Sequence, residues 1–196
     1  MNGHHLHPQM ARAAAEAARI AAGVRPEHLD GPTPCTELDT RALVNHWVLY
    51  TSHGLEHRAR RTALPEDLVA HDFTAEPAWA DAYAAQLERA VRAWADPAVW
   101  EGGVDLGGTP VPAESIARML IKEMVVHGWD VARATGGEVR VSDDLAALVL
   151  AVIEENAELY RQFGGFAEPV PVPADAPLLD RALAASGRDP HWTPKQ

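Results

Sequence analysis

The stretch "IKEMVVHGWDVARATGG" (121–137) reads as a helix that ends at a pair of glycines. At 100° per residue, Ile116, Leu120, Glu123, His127, Val131 and Ala134 fall within a band about 80° wide. The opposite face carries Arg118, Lys122, Trp129 and Arg133; its three cations are expected to face water, and Trp129 to pack under the Pro-rich C-terminal segment. An acid and an imidazole therefore stand in the middle of the buried stripe. A carboxylate buried without a partner is costly, so Glu123 calls for a counter-charge. Glu and His at i and i+4 point the same way and can grip one ion, a spacing also found where metal sites are built inside helix bundles. The same spacing suits a plain Glu–His ion pair in a helical scaffold. A third ligand separates the two readings.

Working outward, residues 8–24 are Ala-rich, with Met10, Ile20 and Val24, and predict a first helix. A Pro-punctuated connection leads to Asp39, placed to cap a second helix, with Leu38 and Leu43 as its hydrophobic staple. That helix is expected to run to about residue 61. A loop with Pro65 and Pro77 precedes a third helix, "AWADAYAAQLERAVRAWA" (78–95). Residues 96–112 are Gly-rich and predict extended or irregular chain; their glycines form no phosphate-binding pattern. A fourth helix spans 113–135 and stops at Gly136. A fifth, capped by Ser142, reaches residue 163. Long amphipathic helices with loops of moderate length predict an all-α fold, an antiparallel four-helix bundle with an extra helix. The chain is expected to form a single domain over 1–196, with 1–8 disordered. Residues 164–196 should form an extended Pro-rich C-terminal arm, with one short helix, packing on the bundle.

The 196 residues suffice for one well-cored domain. A net charge of −11 argues against nucleic-acid and anionic-membrane partners. No run of residues is long and apolar enough to span a membrane, and the N-terminus lacks a secretory pattern, so a cytoplasmic location is expected. Cys35 is the one cysteine and cannot form an internal disulfide; it is a weak candidate for a soft ligand. His4, His5 and His7 read as part of a frayed terminus rather than a metal site. No Ser-His-Asp order or nucleophile elbow is present.

The second helix offers three candidates for the missing ligand: His46, His53 and His57. All three fall about 40° to 80° to one side of Leu43, on the border of the core face. His53 and His57 form an i, i+4 pair of their own, and spacing alone leaves the choice open.

"TPCTELDTRALVNHW" (33–47), "KEMVVHGWDVARATG" (122–136) and "FGGFAEPVPVPADAPLLDRALAASGRDPHW" (163–192) resemble actinobacterial proteins of the DinB/YfiT-like superfamily. The resemblance is to metal-binding members that share the N-terminal domain of mycothiol-dependent maleylpyruvate isomerase. It covers nearly the whole chain and implies a helical bundle holding a divalent metal, usually zinc, with nickel or another transition metal able to replace it. Carried over by position, the implied ligands are His46, Glu123 and His127; the resemblance selects His46 over His53, and either His53 or His57, offered by spacing alone, could still close the coordination sphere. Asp130 is a candidate to orient His127 through its other ring nitrogen; a salt bridge to Arg133 is its alternative role.

The resemblance further implies chemistry on a small thiol such as mycothiol and a small electrophilic substrate, S-transferase-like or hydrolase-like. The alternative is a non-catalytic bundle for metal sensing or sequestration. The isomerase carries a second, C-terminal domain that helps hold mycothiol. This chain, ending at Gln196, is expected to lack maleylpyruvate isomerase activity. The chain could also pair as a homodimer.

Overall fold

Pro8 stands in the first turn of helix α1 (His7–Ala21), where its missing N–H costs nothing. Met10, Ala13, Ala14, Ala17, Ile20 and Ala21 are buried along one side of that helix, the 3.6-residue stripe of a helix facing a core. The computed structural model describes residues 3–105 and 107–194. Within it, the segment expected to be disordered is folded from Gly3 onward. Gly3–Leu6 form a 3₁₀ turn, and Leu6 is buried. His7 Nε2 lies 3.0 Å from the Val91 carbonyl oxygen. A Cβ on Gly3 would meet Trp100 and Glu114 at 2.8 Å, so the terminus packs as closely as a bare backbone allows. Met1 and Asn2 lie outside the described residues.

Helix α2 (Thr40–Val48) begins as expected, with Asp39 Oδ1 accepting the Ala42 N–H at 2.8 Å. The rest of the predicted second helix is not uniform. Leu49–Gly54 wind as a π-helix before α3 (Leu55–Ala59) continues the rod. Here the Thr51 hydroxyl donates to the Trp47 carbonyl at 2.6 Å and that of Ser52 to Val48 at 2.7 Å. A π turn closes its hydrogen bond over one more residue than an α turn, so every side chain beyond it is rotated from its place on an ideal wheel.

A short helix, α4 (Glu66–Val69), interrupts the loop before α5 (Trp79–Ala93). The Gly-rich segment forms a two-stranded antiparallel ribbon, β1 (Gly103–Val104) against β2 (Val111–Pro112). Then follow α6 (Ala113–Ala134), α7 (Asp143–Gln162) and α8 (Leu178–Ala185). Ser142 stands at the start of α7 with extended backbone, but its hydroxyl donates to Asp144 rather than capping a backbone N–H. The fold is all-α apart from the ribbon. Helix α1 packs on α5 and α6, and the α2–α3 rod packs on the same two. Helix α7 covers a further side of α6, and α8 covers α7. No helix among the described residues is long and apolar enough to cross a membrane.

This covering corrects the reading of α6. Lys122, placed on a wet face by the helical wheel, is buried. Helix α6 has neighbours on several sides, which a one-sided amphipathic pattern does not anticipate.

Candidate metal centre

Trp47 sets α2 against α6. Its indole is fully buried, and its Nε1–H donates to the Met124 carbonyl at 3.2 Å. Gly128 leaves room for it, since a Cβ there would lie 3.3 Å from Trp47 Cζ2. His46 precedes the indole, and Glu123 and His127 each adjoin one of its contacts on α6. The packing that seals the core thereby brings the three predicted ligands together. One ligand atom from each of His46, Glu123 and His127 lies within 4.8 Å of the others. Glu123 Oε2 is 3.0 Å from His127 Nε2 and 3.8 Å from His46 Nε2. The side chains of His46, Glu123 and His127 are 36%, 21% and 14% exposed, so they line a recess rather than vanish into the core. That recess is a cavity of about 390 Å³, walled by Tyr50, Leu120, Val126, Tyr160 and Phe166 as well as the three ligands.

Glu123 has a partner that the sequence reading did not supply. Its Oε1 accepts from Lys122 Nζ, and the lysine side chain is only 3% exposed. The ammonium also lies 4.4 Å from the centre of the Tyr160 ring, a cation–π contact donated by α7. Burial pushes the Glu123 carboxyl up, but Lys122 and then His127 outweigh it and hold it well below the usual carboxylate range. The carboxylate thus turns one oxygen to the lysine and the other to the two histidines.

Asp130 contacts the other ring nitrogen of His127, and its second partner is not Arg133. Its Oδ2 accepts from His127 Nδ1 at 2.9 Å, and since an ionised carboxylate only accepts, that ring nitrogen carries a proton. Arg133 points elsewhere, donating to the Trp192 carbonyl at 2.6 and 3.0 Å. The salt bridge comes from Arg188 on the C-terminal arm, with Nη2 at 2.8 Å from Oδ2 and Nε at 3.0 Å from Oδ1. Burial raises the Asp130 carboxyl, yet Arg188 and His127 bring it below the ordinary value. For His127, burial pulls the imidazole down, while Glu123 and Asp130 lift it above its usual range.

The other candidates fall elsewhere. His53 stacks on Phe73, ring centres 5.3 Å apart, beside a separate recess of about 150 Å³. His57 Nδ1 lies 2.8 Å from the Thr62 hydroxyl. Neither belongs to a ligand group among the described residues. Cys35 lines the main cavity and approaches His127 and Asp130 closely enough to form a second candidate group with them. Burial, and then Asp130, push its thiol up, away from the thiolate that binds metals. Lys122 and Arg188 are the participants the sequence reading missed. Helical spacing carries no signal for Arg188, whose segment was read as an arm lying on the bundle.

The donor set fits a divalent transition metal: two imidazoles and one carboxylate, with the far nitrogen of one imidazole already held by a carboxylate. The family model for the mycothiol maleylpyruvate isomerase N-terminal domain matches residues 10–132. The chain belongs to this family. Two uncharacterized proteins of Mycobacterium tuberculosis, from different strains, are each 30% identical to it over 193 residues, covering 93% of this chain and 98% of the relative. No solved structure matches it significantly. Membership links the chain to mycothiol-related function. The matched region contains all three candidate ligands and ends before Arg188.

Proposed function

We propose that the protein binds one divalent metal ion, zinc being the ion its donors suit best, and uses it to act on a small thiol such as mycothiol. The observation that carries this reading is the convergence of His46, Glu123 and His127 within 4.8 Å at the wall of a cavity. Once bound there, the ion would draw the pKa of a coordinated thiol or water down to about 7. The chain's own residues would do the rest. Lys122 neutralises the carboxylate oxygen turned away from the histidines. Asp130 fixes the proton of His127 on Nδ1 and so presents Nε2 to the cavity. Tyr50, Leu120, Val126 and Phe166 restrict water around the donors. The partner reaction is transfer of the thiol sulfur to a small electrophile, or a related hydrolysis.

A sequestering role is less well supported. It calls for a closed coordination sphere, and among the described residues His53 and His57 lie outside the group.

The test uses tag-free protein carrying His4→Gln and His5→Gln, so that no terminal histidine cluster contributes. Elemental analysis should find close to one equivalent of zinc, lost in His46→Ala. Cobalt substitution followed by mycothiol should produce a thiolate-to-metal charge-transfer band. Protein that retains no divalent ion would overturn the metal reading. A cobalt spectrum indifferent to thiol would turn the proposal toward sequestration.

A further inference from the structure

We infer that Arg188 is a positioning residue for the metal centre, and that docking of the C-terminal arm and metal binding are coupled through it. The inference rests on the proposed metal site. Its own evidence is a continuous chain of contacts from the arm to a ligand: Arg188 to Asp130, and Asp130 to His127 Nδ1. The Asp130–Arg188 pair is shielded from water. The Asp130 side chain is 0% exposed and that of Arg188 8%.

The arm is shaped to deliver this guanidinium. Helix α8 ends in a turn where Gly187 N–H donates to Ala184 and Arg188 N–H to Leu183, both at 3.0 Å, the Schellman pattern. Gly187 has φ +85°, and a Cβ on it would meet Ala167 at 2.7 Å. Only glycine fits both the conformation and the space. The turn reverses the chain and directs Arg188 inward. Arg161 of α7 ties the same turn down by donating to the Ala185 carbonyl at 3.0 Å.

A guanidinium that makes two parallel bonds fixes both position and rotation of a carboxylate. With Asp130 so held, the His127 ring has one favoured orientation, with Nε2 toward Glu123 Oε2. Without Arg188 the carboxylate is free to turn, and the imidazole with it. Since coupling is reciprocal, a ligand that immobilises His127 must also favour the docked arm.

The experiment measures zinc affinity by chelator competition, with two readouts that do not depend on activity. One is the ligand-field spectrum of the cobalt form. The other is hydrogen exchange of the Arg188 amide with and without zinc. Arg188→Lys keeps the charge but not the fork. Asp130→Asn combined with Arg188→Met removes the Arg188–Asp130 ion pair and strands neither a buried carboxylate nor a buried guanidinium, so it preserves the fold should Arg188→Lys fail to. Zinc binding should weaken about 10- to 100-fold in the double variant, with an altered cobalt spectrum, and less in Arg188→Lys. Zinc should slow exchange of the Arg188 amide in wild type. Folded variants with wild-type affinity and spectrum, or an amide indifferent to zinc, overturn the inference while leaving the metal site standing. Wild-type protein that binds no zinc overturns both.

Discussion

The indole of Trp47 donates to the carbonyl of Met124 at 3.2 Å, one residue from a candidate ligand on each helix. This contact is the mechanical link between core packing and the candidate metal centre. Trp47→Phe removes the donor and part of the ring. We expect a loss of roughly 2 kcal/mol in unfolding free energy from the unmade bond and the residual void. Zinc affinity should fall with it, because His46 no longer has a fixed seat. Denaturant titration beside chelator competition checks both; unchanged zinc binding would uncouple packing from the site.

Gly128→Ala probes the same interface from α6. Alanine ordinarily gains up to about 1 kcal/mol over glycine inside a helix. Here its Cβ would press on Trp47 Cζ2 at 3.3 Å. The indole has no room to retreat, being fully buried and against the Tyr83 ring, centroids 5.0 Å apart. The variant should therefore melt lower than wild type, despite the better helix former. A higher melting temperature would show that the α2–α6 interface yields.

Glu123→Leu should destabilise the protein even with metal stripped away. A buried acid with no partner would predict the reverse, since leucine removes an unpaired charge. The structure supplies the partner, and the substitution strands Lys122 in an apolar pocket at a cost of about 3 kcal/mol. Adding Lys122→Met should recover most of that loss. The comparison is made by melting wild type, single and double variants in chelator. A stabilised single variant would mean that the lysine finds another counter-charge.

His53 gives a pH signature distinct from the proposed metal site. Burial, and then Arg89, hold its imidazole below the usual value. A group with a lowered folded pKa adds stability above its unfolded value, about 6.5, and loses it as pH falls through the folded one. Between pH 7.5 and pH 5, wild type should lose more stability than His53→Gln. Zinc affinity should be the same in both proteins. A weakened affinity in the variant would restore His53 as a ligand.

How far the site was legible in the sequence depended on where each residue's neighbours came from. Glu123 and His127 were placed by the period of α6 alone. His46 needed the family resemblance, because three histidines bordered one face of the predicted helix. Lys122 was misread because the charges around it match a solvated stripe. What covers it comes from α7 and the segment just after it, and no wheel drawn on one helix counts its neighbours. Arg188 was invisible for a related reason: it meets Asp130 across 58 positions of sequence. The long helices were readable from periodicity, and α2 from its Asp39 cap, whereas the N-terminal turn was missed because its order comes from contacts with Trp100 and Glu114.

The π segment has a consequence for comparing this chain with its relatives. One surplus residue sits inside a continuous rod, with no loop to absorb it. A homologue lacking that residue would keep the same helix but present the side chains after it about 100° out of phase. An alignment that forbids gaps within helices would then pair His53 with a position facing in another direction. Ligand assignments transferred across this rod are safe on the His46 side of Leu49–Gly54. Beyond it, residues should be matched by the direction they face, not by their count from His46.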